Sequence, residues 1–318
     1  MSLMDQAISD LYASACYSSF PSRIAGALVR KVRHLRIWLG DPLVTFDWCG
    51  ETIHLPLSHE LPRFATTFPN YNANLGRLAT VMTRHLGRPI VAVDIGANVG
   101  DTAILLLKNG AGDVICIEGS RRYAELLRRN TRHLPQVVNS ECLVAFSGAP
   151  KNLRISEAMG TGVAVKSTDP GSVPIMTLEQ VLESHRRDQR AVDLVKIDTD
   201  GYDGAIIRYH AAFFASVRPV IHFEYLFSGA DATSSTPMLP DEKALEALAA
   251  AGYERLIAYR NTGEPAVYRQ LAGAGRILRE LHASSRLGVY ADLTVFPASA
   301  VRIADEAADE IGLEFSTP

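Results

Sequence analysis

Cysteine is scarce in this chain: four in 318 residues, at positions 16, 49, 116 and 142, with no two close together. Disulfide frameworks and zinc sites need paired or closely spaced cysteines, so the pattern argues against both and fits reduced thiols in a cytoplasmic protein. Long apolar runs are missing as well. The longest aliphatic stretch, AILLL at 103 to 107, is far too short to cross a bilayer. No basic segment followed by an apolar core opens the chain, so a secretory signal is not expected. Neither sign of charge is in excess: 32 Lys and Arg face 35 Asp and Glu, a net −3 that gives no pull toward nucleic acid. Internal repeats and low-complexity segments are also absent. With 47% hydrophobic and 21% charged residues, what is left is an ordinary globular composition, long enough for one large α/β domain plus an extension.

From about residue 90, short β-rich apolar runs alternate with helical patterns, which predicts a parallel sheet with crossover helices. The expected strands are 90 to 95, 113 to 118, 136 to 144, 193 to 198 and 218 to 225. YERLIAYR (253 to 260) and YADLTVFP (290 to 297) follow, separated by about thirty residues that include a helical stretch. Helices are expected at 101 to 109, 120 to 132, 177 to 187 and 203 to 214, with Ser120 capping the second and Thr177 with Gln180 forming a capping box.

Residues 1 to 88 have a different texture and are expected to form a helical and hairpin extension to a domain at 89 to 318. In SRIAGALVRKVRHLRIWLG (22 to 39), Ile24, Leu28, Val32, Leu35 and Leu39 share a helical face, and most of Arg23, Arg30, Lys31, Arg33 and Arg36 lie elsewhere. The expected arrangement packs the apolar face on the domain and leaves the basic face in solvent. A basic amphipathic helix also leaves peripheral contact with an anionic membrane open. LVTFDWCGETIHLPL reads as a hairpin turning at Cys49-Gly50.

The strand VAVDI ends in the turn GANVGDT. Its glycines, Gly96 and Gly100, let the backbone bend and approach a ligand, and the next helix, opening with Asp101 and Thr102, presents its N-terminal amides. Dinucleotide enzymes place a glycine between such glycines to admit a pyrophosphate; here that position is Asn98, which argues against NAD and an oxidoreductase. The following strand runs into Glu118-Gly119-Ser120. Glu118 stands 24 positions after Asp94, where an acid can accept both hydroxyl protons of a ribose. Turn and acid together predict nucleoside binding.

VDIGANVGDT, IEGSRRYAELLRRN and DLVKIDTDGYD together resemble the FkbM-type S-adenosylmethionine-dependent methyltransferases, over about residues 70 to 297. The resemblance implies a class I methyltransferase fold, Rossmann-like, with a seven-stranded sheet whose last strand is antiparallel. It implies S-adenosyl-L-methionine as cofactor, with Asp94, Gly96 and Gly100 shaping the methionine pocket, Glu118 holding the ribose, and residues around Glu141 to Ala145 bordering the adenine. Asn98, Asp101, Thr102, Gly119 and Ser120 would complete the cofactor contacts. Two positions depart from the family's habit: Gly119 replaces a common Pro and Asp200 a common Glu. Upstream, Tyr71 in FPNYNANLGRLA could close over the methionine end or anchor the extension.

Two strand ends could carry the chemistry. In VDLVKIDTDGYD, Asp198 is placed to face the sulfonium or the acceptor, Asp203 to cap the next helix, and Lys196 to pair with an acid on a neighbouring strand. In RPVIHFEYLF, His222 and Glu224 have the same parity and point to one side. Either could take the acceptor's proton. Asp198, Asp200 and Glu224 could offer oxygens to a divalent metal, but such clusters also cap helices, and no metal is expected. The resulting expectation is an O-methyltransferase acting on a small-molecule hydroxyl: a sugar, a glycolipid or a polyketide-like secondary metabolite. A non-catalytic S-adenosylmethionine-binding assembly protein and an N-methyltransferase are the alternatives.

Overall fold

Apolar strand segments bounded by glycine turns build one nine-stranded sheet, here seen in a computed structural model that describes residues 2–14, 21–146, 153–158, 161–166, 173–227 and 242–316. The chain begins with α1 (Leu3–Ser14), α2 (Pro21–Trp38), β1 (Leu43–Trp48), β2 (Glu51–Pro56), α3 (Leu61–Thr67) and α4 (Ala73–Leu86). The sheet then starts with β3 (Ile90–Ile95), α5 (Asp101–Lys108), β4 (Ala111–Ile117), α6 (Arg121–Thr131) and β5 (Val137–Ser140). Small strands follow, β6 (Leu143–Val144), β7 (Leu153–Ala158), β8 (Thr161–Lys166) and β9 (Ile175–Met176), and then α7 (Leu178–Ser184). The sheet resumes with β10 (Leu194–Ile197), α8 (Asp203–Tyr209), α9 (Ala211–Val217), β11 (Val220–Leu226), α10 (Glu242–Ala250) and β12 (Tyr253–Arg260). It ends with β13 (Pro265–Gln270), α11 (Ala274–Ala283), β14 (Tyr290–Pro297), α12 (Val301–Glu310) and β15 (Phe315–Ser316).

Strand order is β15-β13-β12-β14-β11-β10-β3-β4-β5. From β11 to β5 the pairs are parallel, whereas β14 lies antiparallel between β11 and β12. These are the expected strands with the expected reversal, except that the strand expected over 136 to 144 ends at Ser140 and Leu143–Val144 pairs with β9 in a separate sheet. Two further strands lengthen the edge: β13 pairs antiparallel with β12, and β15 joins β13. The sequence hides β13 because PAVYRQ opens on a proline and lacks clean alternation, which an edge strand tolerates.

Alternate strand residues face opposite layers. Val93, Ile115, Val195 and Ile221 pack toward α7 to α11, and Ala92, Val114, Leu194 and Val220 toward α4, α5 and α12. Each buried valine, leucine or isoleucine among them contributes about 1.5–3 kcal/mol relative to exposure. Local signals act as read. Ser120 Oγ accepts the Tyr123 N–H at 3.2 Å, and Thr177 and Gln180 exchange both bonds of a capping box. The β1–β2 hairpin turns through Cys49 (φ 54°) and Gly50 (φ 78°), the paired positive φ of a tight two-residue turn.

The N-terminal part is bound to the sheet's ligand-facing end. Val44, Trp48, Ile53 and Leu55 of the hairpin form a third core with Val99 and Ile104 around α5 and with Tyr123 and Leu126 of α6. Trp48 Nε1 donates to the Asp101 carbonyl at 2.8 Å. Asn130 fastens the hairpin further. Its Nδ2 donates to the carbonyls of His54 and Val99, both at 2.9 Å, and its Oδ1 accepts the His54 N–H at 2.8 Å. Asn130→Ala leaves these buried groups unpaired and is expected to cost about 2–3 kcal/mol, measured by urea unfolding.

α2 is turned the other way from expectation. Its apolar residues Leu28, Val32 and Leu35, with Leu39 just beyond its end, face solvent, and Arg33 points inward and is buried. Arg33 is accepted there because its guanidinium donates to the carbonyls of Leu57 (2.9 Å) and Ser58 (2.8 Å) and to Glu60 (2.8 Å). Apolar periodicity alone cannot reveal such inward partners. The side chains of Arg23 and Ile24 lie outside the described residues. Among the described residues no helix is long and apolar enough to cross a membrane.

Candidate functional site

The carboxyl ends of β3, β4, β10 and β11 and the amino end of the antiparallel β14 converge on a cavity of about 260 Å³, joined through shared walls to a smaller one of about 70 Å³. Strand order dictates what meets there. The segment after β5 comes first, then Glu118 after β4, the glycine turn after β3, Asp198 after β10, Glu224 on β11, and Tyr290 and Asp292 on β14.

Gly96 cannot be any other residue. Its φ is 79°, and a Cβ would stand 1.8 Å from the Asp198 carbonyl oxygen, so β3 and β10 could not approach as they do. Beyond it Asn98, also at positive φ (48°), donates its N–H to Glu118 Oε2 at 2.8 Å. Ser120 N–H donates to Glu118 Oε1 at 2.7 Å. Glu118 is thus held by two backbone amides with its remaining lone pairs toward the larger cavity it lines. A carboxylate so held can accept hydrogen bonds from a vicinal diol.

Asp94 lies one layer below. It is fully buried, with Oδ1 3.1 Å from Lys196 Nζ, which also reaches Asp198 Oδ2 at 3.2 Å. Lys196 therefore pairs with an acid on a neighbouring strand, as its position in VDLVKID implies. In the sheet register Lys196 lies between Asp94 and His222, and His222 lies opposite Thr294. Asp203 is no simple cap: Oδ2 accepts the N–H and hydroxyl of Thr199 (3.1 and 2.7 Å), and Oδ1 the N–H of Glu224 (3.2 Å). It clasps the β10 turn to β11 and so positions Asp198 and Glu224.

The larger cavity is lined by Tyr71, Gly96, Asn98, Asp101, Thr102, Glu118, Gly119, Asp198 and Glu224 from the sequence-based set. Tyr71 stacks on Phe64, with ring centroids 5.4 Å apart. Other expected residues lie elsewhere. Gly100 packs against Leu127 and Thr131 of α6, and Ser120 caps α6. Glu141 turns outward to Arg128 at 2.9 Å, and the Ala145 carbonyl accepts from His210 at 3.0 Å. The chain leaves the sheet at Ser140 and bends, so Cys142, Leu143, Val144 and Phe146 reach the cavity instead. His222 lines only the smaller cavity, with Nδ1 2.9 Å from the Thr294 hydroxyl.

Sequence reasoning missed His59, Phe64, Tyr290, Asn261 and Asp292. His59 Nδ1 accepts the Leu61 N–H at 3.1 Å, and Nε2 lies 3.2 Å from Asn98 Oδ1, so the ring is neutral with its proton on Nε2 and braces the glycine turn. Nothing in the sequence around His59 announces this. Asp292 was findable only through the register that sets it opposite Glu224.

Burial dominates the titration of the site. It pushes Asp94 and Asp203 up to about 6, Glu118 to about 7 and Asp292 to about 8, with Lys196 opposing at Asp94, Glu118 and Asp292. Burial lowers His59 and His222 to about 4. The raised acids hold protons more tightly in the folded chain, so their contribution is complete below pH 4 and is lost as pH rises through 6 to 8. The histidines act oppositely, but their effect is complete above the ordinary histidine value of 6.5. Between about pH 6.5 and 8.5 the acids alone titrate, and the ligand-free protein is expected to lose on the order of 1–3 kcal/mol, seen as a falling Tm.

The cavity fits S-adenosylmethionine on this protein's own features: an acid held for a diol, a glycine turn that only glycine can make, and apolar side chains after β5 for a purine. The family described as Methyltransferase FkbM domain matches residues 94–254, half of the chain. No curated protein matches significantly. Among solved structures, the chain is similar to geranyl diphosphate methyltransferase in complex with SAM (13% identity, 74% of this chain and 90% of that one, TM-score 0.41). It is also similar to precorrin-6y C5,15-methyltransferase from Geobacter metallireducens (18% identity, 70% and 87%, TM-score 0.34). A third, methyltransferase FkbM from Methylobacillus flagellatus, shows 16% identity over 46% of this chain and 36% of that one, TM-score 0.30. The glycine turn, the held acid and the aspartate cluster all fall within the matched segment, and the chain belongs to the FkbM family of S-adenosylmethionine-dependent methyltransferases.

Proposed function

We propose that the protein methylates a hydroxyl group of a sugar, glycolipid or polyketide-like secondary metabolite. One observation carries this reading: the wall beyond Asp198 includes Glu224, Asp292, Tyr290 and Asn261, each with an oxygen that can accept a hydrogen bond, and it is entered beside Asp198, whose side chain is 44% exposed. Such a wall suits an acceptor that presents several hydroxyl donors. The entry favours catalysis over storage of a sealed cofactor.

S-adenosylmethionine supplies an electrophilic methyl group when bound. In this reading Glu118 holds the ribose, Gly96 and Asn98 the methionine portion, and Cys142 to Phe146 border the adenine. The chain's remaining task is to bring an oxygen into line and accept its proton. Orientation by Asp198 and Tyr290 would supply several kcal/mol. Glu224 is the best proton acceptor in the wall. Burial, then Asp198, Asp203 and Asp292, raise its proton affinity, and its ionised form is favoured beside a cationic ligand. His222, held low by burial and Lys196, is a weaker base.

A labelled-methyl transfer assay against glycosides, lipid-linked sugars and macrolides, with an amine panel alongside, tests the reading. Label on a hydroxyl, unchanged by chelator, is the expected result. Label confined to amines would replace it with N-methylation, and tight S-adenosylhomocysteine binding without any transfer would favour the assembly protein.

A further inference from the structure

We propose that α2 is a peripheral membrane anchor that lies flat on an anionic bilayer surface. Leu28 (62% exposed), Val32 (37%), Leu35 (54%) and Leu39 (58%) recur every three or four residues and form one stripe facing water, with Trp38 (80%) beside it. A surface helix of a water-soluble domain has the opposite arrangement, polar outside and apolar inside. Here the inner face holds Arg33, bonded to Leu57, Ser58 and Glu60 and stacked on the Tyr12 ring at 3.9 Å, and Arg36, which grips Asp5 at 2.7 Å. These contacts stop the helix from rolling, so its apolar stripe is fixed outward.

Charge selects the occupant of that face. The chain as a whole carries −3, yet residues 21 to 39 contain four arginines and one lysine and no acid. Arg33 and Arg36 are used inside, whereas Arg30, Lys31 and His34 are exposed, Lys31 next to the stripe and Arg30 on the far side of the helix from it. An apolar stripe with a tryptophan and a basic flank matches the boundary between acyl chains and anionic headgroups. A second protein chain would leave those cations needing acidic partners. The neighbouring α1 adds exposed Leu3, Met4 and Leu11. Arg33 also ties α2 to the loop whose His59 and Glu60 line the larger cavity, so docking of α2 carries that part of the wall toward the bilayer.

Vesicle flotation of the full chain tests this, with phosphatidylcholine alone and with about 30% phosphatidylglycerol added. Flotation only with the anionic vesicles, weakened by salt, is expected. The chain has two tryptophans and Trp48 is buried, so a blue shift of emission on binding reports Trp38. Leu35→Glu with Trp38→Glu, and separately Arg30→Glu with Lys31→Glu, should each weaken flotation at least about tenfold while S-adenosylhomocysteine binding stays at the wild-type level. Equal flotation with neutral vesicles, or none with either, overturns the proposal. So does a dimer in sedimentation that Leu35→Glu converts to monomer without any vesicle binding, which would assign the face to a second copy.

Discussion

Replacement of Lys196 by methionine will destabilise the protein by about 3–5 kcal/mol at neutral pH. Methionine keeps the unbranched stem and its packing, so the change removes the ammonium and little else. Lys196 Nζ stands 3.1 Å from Asp94 and 3.2 Å from Asp198, and Asp94 has no exposed surface. Burial alone would lower the lysine's proton affinity, but Asp198 and Asp94 more than offset this and hold it charged, well above its ordinary range. Without it, Asp94 faces an apolar surround with no cation and must take up a proton or remain as an isolated buried charge.

The pH dependence identifies the cause. Lys196 opposes the burial that already pushes Asp94 up to about 6, so its removal raises Asp94 further. A folded value above the unfolded one contributes stability at low pH that is lost as pH rises. The deficit of the variant is therefore larger at pH about 8 than at about 5. Adding Asp94→Asn in the methionine background should recover much of the loss, a coupling that urea midpoints of the double-mutant cycle measure directly. A loss below about 1 kcal/mol, independent of pH, would show that water or another group serves Asp94.

Lys196 was legible because a charged residue inside an apolar strand requires a partner, and the parallel neighbours of β10 offer few. Glu118 was legible for a similar reason: a fixed number of residues carries the chain from one strand end to the next, so 24 positions after Asp94 reach the adjacent edge of the sheet. Glu141 and Ala145 were misplaced because the chain bends away after Ser140, and no periodicity extends across such a bend. Asp292 was invisible for a different reason. It meets Glu224 only because β14 inserts between β11 and β12 in one register, a contact across 68 residues that local patterns do not encode. The orientation of α2 failed most instructively. Its apolar spacing gave the helix correctly, but which face turned inward was decided by the carbonyls of Leu57 and Ser58, which can hold a guanidinium better than water can when bonds at 2.9 and 2.8 Å are made.

Glu224→Gln should lower the rate of methyl transfer by about 10²- to 10⁴-fold while leaving S-adenosylhomocysteine affinity within about threefold. The amide has the shape of the acid and leaves the backbone N–H of residue 224 bonded to Asp203, but it cannot accept a proton. Register sets Asp292 directly opposite, and burial together with Asp198, Asp203 and Asp292 raises the proton affinity of Glu224. The wild-type rate should therefore rise with pH as Glu224 ionises, and the glutamine variant should lose that rise. Asp292→Asn removes one of the like charges, so the same limb should move to lower pH with the maximal rate largely kept. A merely structural role for Asp292 would not shift the profile. His222→Asn should reduce the rate less than about tenfold, because a ring pushed down to about 4 and bonded to Thr294 is a poor acceptor at neutral pH. If Glu224→Gln instead retained a rate within tenfold of wild type and Asp198→Asn did not, proton acceptance would pass to Asp198, the one carboxylate shared by both cavities that is paired with Lys196.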